Sequence, residues 1–543
     1  MFPRRLSLAG ITGASLFLAA SLTPSLLPRT ALMQGALSGL CLAVGYGAGT
    51  AVAALGRLLE LPDLPRRPGR WIALAASLFG IAMLFLAEGW QKELRGLMAM
   101  QSIEPFGILK VSGIALAIFF ALLGLARSIL LVIRTVTSSI HHRVPRRAAT
   151  LAGLLATALL MAGIIDGVVL RYALRAVDGS YQRLDALIDA DLAAPASPLR
   201  AGGPGSLIDF DTLGRQGRSY VSTGPTLEEM ERFSDKPALT PVRIYAGLNT
   251  AETVEERAAL ALEDLKRAGG FERKVLLLIT PTGTGWVDQA AIDSIEFLHN
   301  GDIASVALQY SYLSSFLALA VEPGYGQESA RALFNAVYGH WKTLPRDSRP
   351  LLYLFGLSLG AMNSDLSADF LDIAGDPFQG ALWSGPPFNS RLWQMATAER
   401  ERDTPVWLPR YRDGAAIRFT SQTNALDLTG RGPQDGWGPI RIVYLQYASD
   451  AVTFFEPASF YRPPAILEAP RAPDVSPSVR WFPAVTFLQM GFDMLIANQA
   501  PNGYGHSYAP EHYLDAWVAV TGTGAYDEAG LHRLRQHFVD ADP

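Results

Sequence analysis

Hydropathy divides this 543-residue chain near residue 172, and that division constrains its fold more than any other feature. Before it lie five apolar stretches, roughly 6–27, 31–55, 71–89, 108–133 and 148–170. Each is close to the roughly 20 residues that a bilayer-spanning helix requires. Arg4 and Arg5 ahead of the first stretch resemble the start of a signal peptide, but four more stretches follow. A retained transmembrane helical domain over 1–172 is therefore expected. Arginine and lysine are denser on the side holding Arg4, Arg5, Arg57, Arg66, Arg67, Arg70, Arg134, Arg143, Arg146 and Arg147 than on the side holding Arg29, Lys92, Arg95, Lys110, Arg171 and Arg175. The bias places the amino terminus in the cytoplasm, and an odd number of crossings places the rest of the chain outside it. The second stretch carries Gly35-x-x-x-Gly39 and Gly45-x-x-x-Gly49, spacings that let helices approach closely. Glu88, Arg127 and Asp166 are ionisable residues in or near the spans and can mark a transport path, but a compact anchor is the expected role.

The single cysteine, Cys41, lies in the second apolar stretch, so the chain has no internal disulfide and no thiolate metal site. Residues 173–240 read as a connector. An amphipathic, net acidic stretch at 172–192 precedes Ala-Pro-Ala-Ser-Pro and Gly-Gly-Pro-Gly, the breakers of a loop, and a helical spacer is expected. Over 241–543, short apolar runs alternate with helical spacing. Strands are expected at 242–245, 274–280, 303–310, 351–355, 380–384, 417–420 and 441–447. Helices are expected at 253–267, 291–298, 327–344 and 361–372, with a last one at 510–520. Such alternation predicts an α/β domain with a mostly parallel sheet flanked by helices.

The chemistry of that domain is concentrated in Leu351-Leu-Tyr-Leu-Phe-Gly356-Leu-Ser358-Leu-Gly360. A buried strand running into Gly-x-Ser-x-Gly predicts a nucleophile elbow, a strained strand-to-helix turn that exposes the serine oxygen. Glycine belongs on either side because the turn brings backbones too close for a Cβ. A serine activated this way needs a base, then an acid to orient it, in the chain order Ser, acid, His. Four histidines follow Ser358. His506 lies in a glycine-rich loop just before the last expected helix and is the preferred base; His512 falls inside that helix, while His532 and His537 fall in a charged tail. Asp450, just past the 441–447 strand, is the preferred acid, with Asp427 and Asp435 as rivals in a loop where aspartates commonly cap turns. The oxyanion would be held by the Leu359 amide and by one from Pro281-Thr-Gly-Thr-Gly-Trp286, either Thr282 or Gly283. That loop matches neither a P-loop nor a dinucleotide fingerprint.

Further motifs are Ser21-Leu-Thr-Pro-Ser-Leu-Leu-Pro-Arg29, Gln309-Tyr-Ser-Tyr-Leu, Leu382-Trp-Ser-Gly-Pro-Pro-Phe, Tyr444-Leu-Gln-Tyr-Ala-Ser-Asp450 and Gly505-His506. With the elbow and the 281–286 loop, they make the chain similar to a bacterial family of integral membrane α/β-hydrolases, in which a multi-helix amino-terminal domain is fused to a hydrolase domain. The resemblance implies an α/β-hydrolase fold and a serine-hydrolase site at Ser358, Asp450 and His506. Leu357, where a polar residue is expected, and Tyr504 depart from the family pattern.

Substrate class follows from setting. Trp286, Tyr310, Tyr312, Phe316, Trp383, Phe388, Phe454 and Phe455 crowd the expected mouth. A membrane-anchored, extracytoplasmic esterase acting on lipid or acylated envelope esters is the first expectation. Acyl transfer by the same triad, and lipid binding or transport with an inactive hydrolase domain, are the alternatives. No cofactor or metal is expected, since the sequence has no zinc or calcium motif. A net charge of −4 and the membrane setting argue against a nucleic-acid partner.

Overall fold

A computed structural model describes residues 6–61, 66–100, 107–140, 185, 192–313, 318, 324–369 and 373–541. The chain divides into two units, Met1–Val177 with Phe455–Pro501, and Asp178–Phe454 with Asn502–Pro543. The segment 241–543 thus contributes to both, because 455–501 leaves the second unit and folds with the first.

In the first unit, α1 (Leu8–Ser21), α2 (Ala31–Leu58), α3 (Arg66–Leu97) and α4 (Ile108–Ile140) pack side by side. Three of these, α2, α3 and α4, are long and apolar enough to cross a bilayer. The first expected span is shorter than its apolar run. α1 has 14 residues, about 21 Å at about 1.5 Å per residue, against a hydrocarbon core of about 30 Å. It stops at Ser21 because Pro24 cannot continue a helix and disfavours helical geometry at Thr23. The fifth expected span, Asp166 and the amphipathic stretch other than Asp185 and Leu192 lie outside the described residues. Both glycine pairs of α2 mark close approaches. A Cβ on Gly35 or Gly39 would run into α4 at Ile114 and Ala115, and one on Gly49 would fall 2.1 Å from the Ala9 carbonyl of α1. Buried Leu37 and Cys41 of α2 pack with Val485, from the helix Val485–Ile496 of the returning segment.

The second unit is built on seven parallel strands: β1 (Val242–Ala246), β2 (Val275–Thr280), β3 (Ile303–Leu308), β4 (Leu351–Leu357), β5 (Gly380–Ser384), β6 (Ile417–Thr420) and β7 (Arg441–Leu445). Their order is β1-β3-β2-β4-β5-β7-β6. Every residue of β1, β2 and β3 is buried, as expected of parallel strands covered by helices on both faces. Crossovers are helical, including Val254–Arg267, Gln289–Leu298 and Tyr325–Trp341.

Among its described residues, the connector touches β1 through one parallel bridge: Ala201 donates to the Arg243 carbonyl at 2.9 Å and Arg243 to that of Leu199 at 3.1 Å. The Arg243 guanidinium is buried against Glu296 at 2.7 Å and Asp293 at 2.8 Å. One expectation fails here: the helix at 510–520 is not the last, because the charged tail forms another, Glu528–Ala541. His532 there is exposed, but His537 is half-buried, with its ring 4.4 Å from that of Phe233.

Candidate active site

The strand order has a reversal at its centre. From β2 the chain crosses to β3 on one side, and from β4 it crosses to β5 on the other. The crevice beyond the carboxyl ends of two such neighbours is where open α/β sheets bind ligands. Register pairs Thr280, the last residue of β2, with Gly356 of β4. The loop 281–286 and the elbow at Ser358 therefore emerge side by side at this reversal.

Ser358 has φ 58° and ψ −127°, a positive φ that a side-chain-bearing residue rarely adopts, and is 6% exposed. Such strain persists only where the surroundings over-determine it. The flanking glycines show how. A Cβ on Gly356 would sit 2.4 Å from the Gly360 carbonyl, and one on Gly360 would sit 2.2 Å from the Thr280 carbonyl. Leu359 opens the helix Leu359–Asp365, so its amide points out of the helix with no intrahelical acceptor.

Asp450 follows β7 and is fully buried. Its Oδ2 accepts from His506 Nδ1 at 2.6 Å, Tyr508 Oη at 2.7 Å and Thr453 Oγ1 at 3.2 Å, and its Oδ1 from the Val452 amide at 2.8 Å. His506 sits on a tight turn in which Ser507 donates to the Tyr504 carbonyl and Gly503 to that of Ser507. The Gly505 amide donates to Ser449 Oγ at 2.9 Å, pinning the turn beside the acid. His506 Nε2 is buried and makes no hydrogen bond among the described residues.

The motif at 382–388 connects base and serine. The Ser358 amide donates to the Ser384 carbonyl at 2.9 Å. The next residue, Gly385, lies against the imidazole: a Cβ there would be 2.6 Å from His506 Cε1 and 2.8 Å from Tyr508 Oη. Gln309 has a comparable duty in the 281–286 loop. It is fully buried, and its Nε2 donates to the Thr284 carbonyl at 3.3 Å, while Tyr245 Oη donates to that of Gly285 at 2.7 Å. Of the two amides expected to complete the oxyanion site, that of Thr282 is committed to the loop itself, donating to the Trp286 carbonyl at 3.0 Å.

The rivals are placed elsewhere. His512 is held by Tyr447 Oη at 2.7 Å, and burial pushes its imidazole down to about 4, so it stays neutral. Asp427 is exposed and accepts from the amides of Thr429, Gly430 and Gly432, capping its own loop, and the Asp435 carbonyl accepts from the buried Arg418. Among the aromatic residues expected at the mouth, Tyr310, Trp383 and Phe454 are buried, while Tyr312 and Phe388 are half-buried. Trp286 is 39% exposed, Phe455 belongs to the first unit, and Phe316 lies outside the described residues.

Two residues escaped the sequence reading. Tyr508, whose phenol burial and then the Asp450 charge hold well above its ordinary value, remains a donor to the acid. Asp288 caps the helix Gln289–Leu298 through the Ala290 amide at 3.1 Å and accepts from Tyr513 Oη at 2.9 Å. Only the capping position of Asp288 leaves a sequence signal, an aspartate just ahead of a helical run.

No curated protein and no solved structure matches the chain. A family model described as an alpha/beta-hydrolase family matches residues 242–534, and one described as an alpha/beta-hydrolase family N-terminus matches residues 22–225. The first match alone spans more than half of the chain, and the protein belongs to this alpha/beta-hydrolase family.

Proposed function

We propose that the protein is a membrane-anchored serine hydrolase that cleaves carboxylic esters of lipids or acylated envelope polymers on the extracytoplasmic side. One observation carries the reading: the 2.6 Å Asp450–His506 hydrogen bond, with Nε2 left over, packed against the peptide that holds the strained Ser358. His506 Nε2 takes the Ser358 hydroxyl proton as Oγ bonds to the acyl carbon, while Asp450 fixes the tautomer and stabilises the imidazolium. The carbonyl π electrons move onto oxygen, where the Leu359 amide and one from the 281–286 loop receive the charge. Collapse breaks the acyl–oxygen bond, and the alcohol leaves with the proton from Nε2. Water, deprotonated by the same nitrogen, then releases the acid and regenerates Ser358.

Three helices long and apolar enough to span a bilayer among the described residues favour a substrate met at the membrane. Labelling membranes that hold the full chain with a fluorophosphonate tests the reading. The parent should label and Ser358→Ala should not; equal labelling of the two would end the proposal.

A further inference from the structure

The motif Ser21–Arg29 plays no part in the chemistry above, yet it holds an extended buried polar cluster. Arg29 and Asp493 are an ion pair with both side chains at 0% exposure, Nη2 to Oδ1 at 2.9 Å and Nε to Oδ1 at 3.1 Å. Asp493 Oδ1 also accepts from Ser25 Oγ at 3.0 Å, and Oδ2 from the Leu26 amide at 3.0 Å. Gln489, one turn earlier, donates to the Thr23 carbonyl at 3.0 Å. The Arg29 amide donates to Gln91 at 2.7 Å, and its Nη1 to Gln34 at 3.3 Å. A buried pair is held at a desolvation cost and is weak evidence of added stability, which leaves room for another role.

Chain topology supplies one. Asp493 and Gln489 belong to the returning segment, which leaves the second unit at Phe455, five residues after Asp450, and re-enters it at Asn502, four residues before His506. The segment therefore interrupts the chain between acid and base and nowhere else. The clasp at Asp493 lies nine residues upstream of the point of re-entry. We propose that the Arg29–Asp493 clasp is a positioning device: by anchoring the 455–501 segment to the α1–α2 turn, it holds the His506 loop in register with Asp450.

The inference rests on the proposed hydrolase reading. Its test uses the full chain in detergent, a chromogenic short-chain ester, and active sites counted by fluorophosphonate titration, at a temperature below the melting point of every variant. Arg29→Gln and Asp493→Asn should each lower kcat about tenfold to a hundredfold, the range for small misplacements of a catalytic group, with KM nearly unchanged. Arg29→Lys, which keeps the charge, should recover most of the loss. Gln489→Ala removes a clasp bond without stranding a charge, so it decides the matter if the pair variants do not fold. A purely structural clasp would lower the melting points and leave kcat per folded molecule at the parent value, and that result overturns the inference. Ser358→Ala in parallel keeps the two failures apart. If it turns over like the parent, the hydrolase reading falls and takes this one with it; if it is inert while the clasp variants match the parent, only the positioning role falls.

Discussion

Gly385→Ala isolates the seating of the imidazole. The residue has φ +50°, and its new Cβ would meet His506 Cε1 at 2.6 Å and Tyr508 Oη at 2.8 Å. Real carbon contacts do not close to that distance, so the ring must retreat by up to about 1 Å, and a shift of that size costs on the order of 100-fold in rate. This corresponds to about 2.7 kcal/mol of barrier. The positive φ adds about 1–2 kcal/mol of folding strain. Gly430→Ala separates the two effects: its φ is +73°, and no heavy atom lies within 4 Å of the added Cβ. Both variants should therefore melt lower than the parent. Only Gly385→Ala should lose kcat on a soluble ester, with little change in KM. Parent-like turnover by folded Gly385→Ala would refute the placement of His506 beside the Ser384–Gly385 peptide.

Tyr508→Phe removes one of the three donors to Asp450 Oδ2. A hydrogen bond to a charged group contributes about 1.5–3 kcal/mol, so kcat/KM should fall on the order of tenfold or more; a value within twofold of the parent would assign Tyr508 to packing. Arg243→Met leaves Glu296 and Asp293 without their shared cation and should cost about 3–5 kcal/mol in urea unfolding; a loss under 1 kcal/mol would contradict that role. Burial pushes the Asp288 carboxyl up from 3.8 to about 6. The native state thus holds this proton more tightly than the unfolded chain, so the group withdraws stability as pH rises from about 4 to about 6. Melting points across that window should fall more steeply for the parent than for Asp288→Asn, and parallel slopes would sink the assignment.

What was legible in the sequence was local. The alternation of apolar runs located all seven strands to within a few residues, because strand and helix periods are properties of short windows. The elbow was legible for the same reason: Gly356 and Gly360 are dictated by backbones a few residues away. Contacts between distant segments left no such trace. Nothing near residue 493 announces that its carboxylate meets Arg29, so the excursion of 455–501 into the first unit was invisible. Tyr508 beside Asp450 and Gly385 beneath His506 depend in the same way on loops that only the folded sheet brings together. The helix Glu528–Ala541 was hidden by its charge, since only Gly530, Leu534 and Phe538 along it are buried. The end of α1 at Ser21 was written in Pro24, within a run whose hydropathy alone suggested a full span.

The most direct measurement is the mass-spectrometric location of the covalent adduct after the full chain in detergent reacts with a fluorophosphonate. The account predicts a single phosphonylated peptide carrying the adduct on Ser358, with the reaction abolished in His506→Ala. An adduct on another residue, or undiminished reaction without the imidazole, would contradict it.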